Sequence, residues 1–348
     1  MSVIKKVTYS ASLISLLILI WVWSSYSNAL EETLTIKNGN LDYSIKSGSS
    51  LSSVIFDLAN KNILKNPRYL IWYARLNGLS SKMKTGDYRL TNNTTAQSFL
   101  DDIFSGKVIQ FSLTIIEGWS FKQMLEAINN HPHIKNTITN DSKEEIMLKL
   151  GLGDIHYEGQ FLPDTYNFPK DLTDIEFLKR AHISLQSVLK EEWGNRAVGL
   201  PYKNSYEALT MASIVEKETG KASERKQIAG VFVRRINKRM RLQTDPTVIY
   251  GMGEKYKGNI RKKDLQRDTP YNTYRRHGLP PTPIALPGRD AINAALHPQD
   301  GDTLYFVSRG DGSHQFSATL KEHNKAVIKY QLKGRARSFS SYKHKKTN

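Results

Sequence analysis

The chain has 348 residues, 39% of them hydrophobic and 24% charged, which is an ordinary composition with room for two globular domains. The absence of cysteine excludes disulfide bonds, thiolate metal sites and a cysteine nucleophile. The formal net charge of +17 attracts polyanions, whether nucleic acid, anionic lipid or anionic cell wall, and the charge alone does not choose among them.

The first predicted element is an apolar segment at residues 9–27, which contains no charged residue and follows Lys5 and Lys6. Its length suffices for a helix to cross the hydrocarbon core of a bilayer, and aromatic residues lie near both of its ends. The segment predicts a single transmembrane helix, a cytoplasmic tail at 1–8 and a body outside the membrane. The alternative is a cleaved signal peptide, because the sequence at 27–29 resembles a cleavage site. In both cases the body is exported, so nucleic acid is not expected as a partner.

Sequence patterns in residues 38–112 predict a small module. Apolar residues recur at helical spacing in two successive segments, and short segments typical of strands lie on either side of this helix pair. The order of strand, helix pair and strand resembles a LysM module, a type that binds glycans containing N-acetylglucosamine. A structural platform for the next domain is the alternative interpretation. The predicted elements are a strand at 43–45, a helix at 51–58, a helix from 67 to a stop at 78, a strand at 86–90 and a helix at 95–104.

Residues 113–332 are predicted to form a second, mixed α+β domain with helices around a cleft, so that the whole chain is of the α+β class. An alternating strand at 108–116 leads into it, and a hairpin is predicted around 304–316. One helix, at 223–238, is rich in lysine and arginine, and we expect it to be solvated or to face an anionic wall or lipid. A basic tail occupies 333–348. The other predicted helices are at 121–128, 143–150, 175–191 and 204–218.

The helix at 204–218 carries two glutamates with different expected environments. Asn204 is predicted to cap this helix, and Glu207 to complete a capping box. Glu216 and Glu218 are two residues apart, so they point in nearly opposite directions. Glu218 lies on the apolar stripe, where partial desolvation raises the pKa of a carboxyl group and keeps it protonated near neutral pH, as a general acid requires. A solvated glutamate near a helix end is the alternative.

Several loops combine amide and hydroxyl groups with aromatic rings, a composition that suits a carbohydrate ligand. His314 and His323 lack the spacing and the carboxylates that a metal site needs, and no glycine-rich phosphate or dinucleotide loop is found. We therefore predict no metal and no cofactor. Most glycosidases use two carboxylates, whereas Glu218 is the one persuasive candidate here, which restricts the chemistry. The loops are at 158–166, 242–247, 269–274 and 278–281.

These motifs together resemble the YceG-like family, the endolytic murein transglycosylases (MltG) of bacteria. The resemblance extends from the apolar segment to about Tyr330 and does not include the basic tail. The family cleaves the bond from N-acetylmuramic acid to N-acetylglucosamine inside peptidoglycan strands, without water, and leaves a 1,6-anhydro-muramic end. The resemblance implies this activity at the bacterial inner membrane, beside peptidoglycan synthases (penicillin-binding proteins). The matching motifs are Ala212–Thr219, Leu242–Gly251, Thr269–Tyr274 and Gly278–Pro281.

The resemblance also implies roles for individual residues. It places the catalytic acid at Glu218, the residue that the helix argument also favours. In the implied mechanism, protonated Glu218 donates to the glycosidic oxygen and then, as a carboxylate, takes the proton of the C6 hydroxyl that attacks C1. Because the nucleophile belongs to the sugar, no second carboxylate is needed. Loop position and motif match predict that the glycan is held by Glu158, Gln243, Asp245, Tyr271 and Asn272.

Two other functions are compatible with the same residues. A hydrolytic muramidase would need a second carboxylate, for which Asp245 and Glu158 are the leading choices. A noncatalytic membrane protein that binds glycan and recruits wall synthases would need none. The nature of the muramic end in the product separates the first alternative from a lytic transglycosylase.

Overall fold

The structure, a computed structural model, describes residues 3–335, so most of the predicted basic tail lies outside the described residues. The fold is mixed α+β with an N-terminal apolar helix, as predicted. The chain forms two compact units. The first contains residues up to Phe111 together with Asn167–Asp171, and the second contains Ser112–Tyr166 and the chain from Leu172 onward.

Helix α1, Val3–Glu31, begins the first unit and runs without a break through the predicted membrane segment. Its stretch Thr8–Glu31 is long and apolar enough to cross a bilayer, with a mean hydropathy of 1.6, and almost all of it is exposed. Its C-terminal end packs against the core of the first unit, where Tyr26 is partly buried and Ala29 and Leu30 are 2% and 7% exposed. Helix α1 is therefore a candidate membrane span that continues directly into a folded module.

The rest of the first unit consists of two antiparallel strands and three helices around one apolar core. The two strands pair in full register, and Arg89 forms two hydrogen bonds of 2.8 and 2.9 Å with Asp42 on the opposite strand. The side chains of Ser50 and Thr95 accept hydrogen bonds from the first turns of two helices, as capping residues do. Its elements are β1 (Asn40–Ile45), α2 (Leu51–Asn60), α3 (Pro67–Leu76), β2 (Gly86–Thr91) and α4 (Ala96–Ser105).

The second unit is built around one helix that is buried on all sides. Residues 208–215 of this helix, α8, are all buried, and α7, α9, α10 and α12 pack against it. Three two-stranded sheets accompany the helices: β4 pairs with β6, β7 with β8, and β3 with β5, two strands whose residues are divided between the two units. In chain order the elements are β3 (Gln110–Thr114), α5 (Phe121–Asn129), β4 (Ile134–Lys135), α6 (Lys143–Lys149), β5 (Thr165–Pro169), β6 (Leu172–Thr173), α7 (Asp174–Gly194), α8 (Ser205–Glu218), α9 (Arg225–Asn237), α10 (Asp245–Met252), α11 (Lys262–Gln266), α12 (Arg289–Leu296), β7 (Tyr305–Ser308), β8 (His314–Ser317) and α13 (Leu320–Tyr330).

Three features of this unit differ from the sequence-based prediction. Strand β3 is shorter than the alternating segment at 108–116. Helix α10 begins at Asp245, inside a segment predicted to be a loop, because Pro246 is well suited to the first turn of a helix. Helices α11, α12 and α13 were not predicted, and the first two, of five and eight residues, are too short to show a convincing helical period.

The basic helix α9 is not simply solvated, and that prediction was wrong for three of its arginines. Arg225 and Arg235 are 8% and 7% exposed. Arg234 donates to the carbonyl of Thr303 at 2.8 Å, and Arg235 to that of Leu304 at 2.7 Å. Guanidinium groups carry several donors in a fixed plane, so they satisfy loop carbonyls that no secondary structure would otherwise satisfy. The arginines of α9 therefore stabilise the second unit through hydrogen bonds to loop carbonyl groups.

Substitution of Gly159 tests the packing of the predicted binding loop. Gly159 has φ +79°, and a Cβ there would lie 2.4 Å from the Cβ of Pro283. Gly199 has the same φ of +79°, with nothing within 4 Å of an added Cβ. We expect Gly199→Ala to cost about 1–2 kcal/mol from the left-handed backbone alone. Gly159→Ala should cost roughly 1–3 kcal/mol more, through overlap with Pro283.

Thermal and urea unfolding of the two variants measure this difference, with Gly199→Ala as the matched control. Equal losses of stability would show that the loop yields to the added methyl group, and the proposed close packing would then be wrong.

Candidate active site

The ends of helix α8 show how Glu218 is positioned. At the start, the Asn204 side chain accepts a hydrogen bond of 3.0 Å from the Glu207 N–H, as predicted. The reciprocal bond differs from a capping box, because the Glu207 carboxylate accepts from the N–H of Lys203, at 2.7 Å, instead of from Asn204. At the other end Glu218 is the last helical residue, and Thr219 is already extended. Glu218 therefore lies where the chain leaves the core helix.

Glu216 is fully engaged in structural contacts. Its carboxylate accepts hydrogen bonds from the N–H of Gly288 at 3.0 Å and from the Arg225 guanidinium at 3.2 Å. Arg225 also contacts Glu117 at 2.9 Å and Asp290 at 3.2 Å. Burial raises the pKa of Glu216, and the Gly288 N–H and Arg225 oppose this rise. Glu216 therefore joins α8 to α9 and to the start of α12, and both of its oxygens are occupied.

Glu218 has a different set of partners. The Thr244 hydroxyl donates a hydrogen bond to its Oε1 atom. Burial raises the pKa of Glu218 to about 7, and the negative charge of Asp245 adds to the rise. The Thr244 hydroxyl and the positive charge of Arg235 act in the opposite direction. The carboxyl group is closely surrounded, and the residue as a whole is partly exposed. Near neutral pH such a carboxyl group can both donate and accept a proton, which acid–base catalysis requires.

The difference between the two glutamates lies in their partners, and not in burial as the helix-face argument assumed. Because α8 is apolar on every side, desolvation raises the pKa of both groups. Glu216 is neutralised by an arginine in direct contact, whereas Glu218 has only a hydroxyl at hydrogen-bond distance among the described residues. The structure thus leaves Glu218 free to react.

A buried cluster of threonines fixes the hydroxyl that contacts Glu218. The Thr244 N–H donates to the Thr273 hydroxyl at 3.1 Å. Thr247 donates to the Thr244 carbonyl at 2.8 Å and lies 2.9 Å from the Thr273 hydroxyl. All three residues are at most 2% exposed. This cluster joins the loop at 242–244 to the loop at 269–274, and both loops meet beside Glu218.

Arg235 is a site residue that the sequence analysis missed. Its guanidinium donates a hydrogen bond of 2.6 Å to the carbonyl of Leu242, which begins the loop that carries Thr244. Its charge also lowers the pKa of Glu218. A signal for it was present, because Arg235 follows Ile228 and Phe232 on the core-facing stripe of α9. An arginine on such a stripe must be paired or hydrogen-bonded inside the protein.

Gln243 and Asp245, both predicted to bind glycan, flank Thr244 and are exposed. Gln243 has a left-handed backbone, with φ +53°, a conformation that side chains adopt at some cost and that often occurs at functional sites. The Asp245 carboxylate accepts a hydrogen bond of 2.6 Å from the hydroxyl of Tyr274. Asp245 is close enough to Glu218 to raise its pKa, whereas Gln243 is placed there only as the neighbour of Thr244 in the chain.

The structure does not favour direct glycan binding by Asn272. This residue is 1% exposed. Its amide nitrogen donates to the carbonyls of Arg267 and Leu265, at 2.6 and 3.0 Å, and its amide oxygen accepts from the N–H of Tyr274 at 2.9 Å. Both the nitrogen and the oxygen of the amide thus stabilise the conformation of the chain at 264–274. Asn272 is a positioning residue for Tyr274 and its neighbours.

Tyr271, by contrast, is only half-buried. Its hydroxyl lies 2.9 Å from that of Thr282, and its ring meets the edge of the Tyr250 ring, with centroids 4.9 Å apart. The accessible part of the ring is available for stacking on a sugar.

Glu158, the remaining predicted binding residue, is 3% exposed and faces inward. Its carboxyl group accepts a hydrogen bond of 2.8 Å from the N–H of Phe121 at the start of α5, and another from the hydroxyl of Tyr250. Burial raises the pKa of Glu158 to about 7, and these two donors oppose the rise. Glu158 therefore connects α5 to α10 and lies close to both members of the aromatic pair, Tyr250 and Tyr271.

The described residues thus combine a helix that is long and apolar enough to span a membrane, a mixed α+β body and a glutamate whose pKa is raised to about 7. The model of the YceG-like family matches residues 43–329. The chain belongs to this family.

Named relatives and a solved structure agree with this assignment. An endolytic murein transglycosylase of Bacillus subtilis (strain 168) is 34% identical, over 83% of this chain and 84% of that protein. One of Streptococcus pneumoniae serotype 2 is 25% identical over 88% of this chain, which spans 61% of the pneumococcal protein. The crystal structure of the YceG-like protein lmo1499 from Listeria monocytogenes is 31% identical, with a TM-score of 0.52, and covers 82% of this chain and 99% of that one.

The pH dependence of stability tests the environment of Glu218. Its pKa is 4.5 without the fold and about 7 within it. Between these values the unfolded chain has released the proton and the folded chain has not, so the wild type loses stability as the pH rises from about 4.5 to about 7. Glu218→Gln removes this loss and should be more stable than wild type above pH 7, by on the order of 1–3 kcal/mol.

Unfolding free energies at several pH values measure the effect, with Glu254→Gln as control, since the Glu254 side chain is 88% exposed. If the difference between Glu218→Gln and wild type were the same at pH 4 and pH 8, the carboxyl group would not be desolvated.

Proposed function

We propose that this protein is an endolytic peptidoglycan lytic transglycosylase, which cleaves the bond from N-acetylmuramic acid to N-acetylglucosamine within glycan strands. The observation that carries the proposal is the state of Glu218, a partly exposed residue whose carboxyl group has a pKa of about 7 and no ion-pair partner in contact within the described chain. The relatives described above, which are endolytic murein transglycosylases, supply the reaction and the polymer.

In the proposed reaction Glu218 acts twice. As an acid it gives its proton to the glycosidic oxygen while the bond from that oxygen to C1 of the muramic sugar breaks. The C6 hydroxyl of the same sugar then forms a bond to C1, and its proton returns to the Glu218 carboxylate. The products are a 1,6-anhydro end and a free hydroxyl on the leaving sugar, and the enzyme is regenerated. A nucleophile held within the substrate needs no bound water and no second carboxylate.

The surroundings of Glu218 serve both halves of this cycle. Burial and the charge of Asp245 favour the protonated group before cleavage. After proton transfer, the Thr244 hydroxyl and the charge of Arg235 stabilise the carboxylate. With the pKa near the working pH, neither form is strongly disfavoured, which is the condition for efficient acid–base catalysis.

The proposed binding residues divide into two groups. Gln243, Asp245 and Tyr271 are accessible and are assigned to the glycan. Asn272 and Glu158 are buried and hydrogen-bonded within the protein, so we assign them to positioning.

The proposed cellular setting follows from the first unit. Residues 9–27 anchor the protein in the bacterial cytoplasmic membrane as a single span, with the N-terminal residues 1–8 inside and the active site outside. Residues 38–112 form a LysM-like module, a proposal that the order β1, α2, α3, β2 supports. Residues 113–332 form the catalytic domain. Cleavage beside peptidoglycan synthases would terminate nascent strands.

Product analysis with Glu218→Gln tests the function. Wild-type protein acting on purified glycan should release fragments with 1,6-anhydro ends, identified by mass spectrometry. Loss of the general acid and base should reduce the rate by ~10²–10⁴-fold. Because Glu218 must begin protonated, kcat/KM of the wild type should fall as the pH rises through about 7.

The exposed Glu254→Gln serves as the matched control and should retain activity. Reducing muramic ends in place of anhydro ends would identify a hydrolytic muramidase. No cleavage by the wild type would favour the noncatalytic scaffold.

Gln243→Gly separates side-chain binding from backbone strain at the loop beside Glu218. Glycine adopts the observed φ of +53° without strain, so thermal stability should be unchanged or higher. Loss of the side chain should raise KM for glycan several-fold, as expected for one or two lost hydrogen bonds. Steady-state kinetics and thermal unfolding of the same preparation give both readouts. An unchanged KM would remove Gln243 from the binding site.

A further inference from the structure

Helix α3 exposes a face that is both cationic and apolar. Arg68, Trp72, Arg75 and Leu76 follow one another at helical spacing and are all exposed, with Trp72 at 53% and Leu76 at 79%. The opposite face packs on the core of the first unit through Leu70. Helices with arginine beside tryptophan and leucine on an outer face are typical of segments that lie in the headgroup layer of a membrane.

A series of aromatic contacts sets the level of this face relative to α1. The rings of Trp23 and Tyr26, near the end of the candidate span, have centroids 6.1 Å apart. Tyr26 contacts Tyr69 at 6.2 Å, and Tyr69 contacts Trp72 at 6.0 Å, both edge to face. Tryptophan and tyrosine at the end of a span lie at the membrane–water interface. The start of α3 must then lie at that level as well.

The charges near this face are unevenly compensated. Glu31 is the last residue of α1, and Glu32, which follows it, is paired with Lys65 at 2.9 Å. Arg68 and Arg75 have no ion-pair partner within the described part of the chain. A cleft of about 510 Å³ opens between α1 and the start of α3, lined by Arg68, Trp72 and Val22 among others. Its arginine and aromatic side chains suit a lipid phosphate with its acyl chains alongside.

We propose that α3 docks on the outer leaflet of the membrane, with Trp72 and Leu76 in the headgroup layer and Arg68 and Arg75 bound to anionic lipid phosphates. The proposal rests on the membrane span assigned to α1 under the proposed function, but it does not depend on glycan cleavage. Docking fixes the first unit at the bilayer surface at a second point, beyond the single helix.

The absence of native cysteine allows a direct test with the full-length chain. The variant Leu76→Cys carries an environment-sensitive nitrobenzoxadiazole label on its single cysteine. Ser44→Cys, on an exposed position of β1, is the matched control. Both proteins are reconstituted into vesicles of phosphatidylcholine with phosphatidylglycerol. We expect a blue-shifted emission at position 76 that brominated lipids quench, and a water-like emission at position 44.

Equal, water-like spectra at the two positions would overturn the docking proposal. Equal blue shifts would also overturn it, because adsorption would then not be specific to α3. Vesicle flotation tests the span separately, and product analysis on glycan tests the proposed function, so each can fail alone.

Charge variants test the lipid phosphates. Arg68→Gln with Arg75→Gln should reduce the docked-to-undocked ratio on phosphatidylglycerol vesicles by roughly fivefold for each charge removed. Lys37→Gln with Lys46→Gln removes two exposed charges elsewhere in the unit and should change the ratio little. Equal effects of the two pairs, or equal docking on pure phosphatidylcholine, would contradict phosphate binding by the arginines.

Discussion

The hydrogen bond from the Thr244 hydroxyl to Glu218 is the contact on which the candidate active site depends. It connects the end of the core helix to a loop that is otherwise far away in sequence. It also limits the rise in pKa that burial causes, so that the carboxyl group titrates near neutrality. The threonine cluster, Arg235 and Asn272 all act by holding this loop or its neighbour in place.

The two glutamates of α8 illustrate how partners, more than burial, decide the role of a charged group. Glu216 and Glu218 lie on the same helix, and burial raises the pKa of each. An arginine neutralises the first and commits it to the fold. Glu218 lacks such a partner among the described residues. A desolvated carboxyl group without a cation destabilises the fold, and a residue with a purely structural role would not be expected to carry this cost.

Local patterns were enough to predict most helices, whereas the difference between Glu216 and Glu218 depends on partners that only the fold supplies. The apolar spacing in α2, the capping residues Ser50 and Thr95, and the Asn204 cap of α8 all depend on neighbours within a few residues. The prediction failed where a side chain finds its partner far along the chain. Arg225 meets Glu117 more than a hundred residues away, a contact that no local pattern indicates. The contact of Glu158 with the N–H of Phe121, 37 residues away, likewise exists only in the fold.

The position of Glu218 as the last residue of α8 has one more consequence. The carbonyl groups at the end of a helix carry a partial negative charge of about half an electron, which acts on a neighbouring carboxylate. In the proposed reaction, a Glu218 that has given up its proton faces this field without a cation in contact among residues 3–335. The helix end would therefore favour return of the proton, and with it the starting state for the next round of the proposed cleavage.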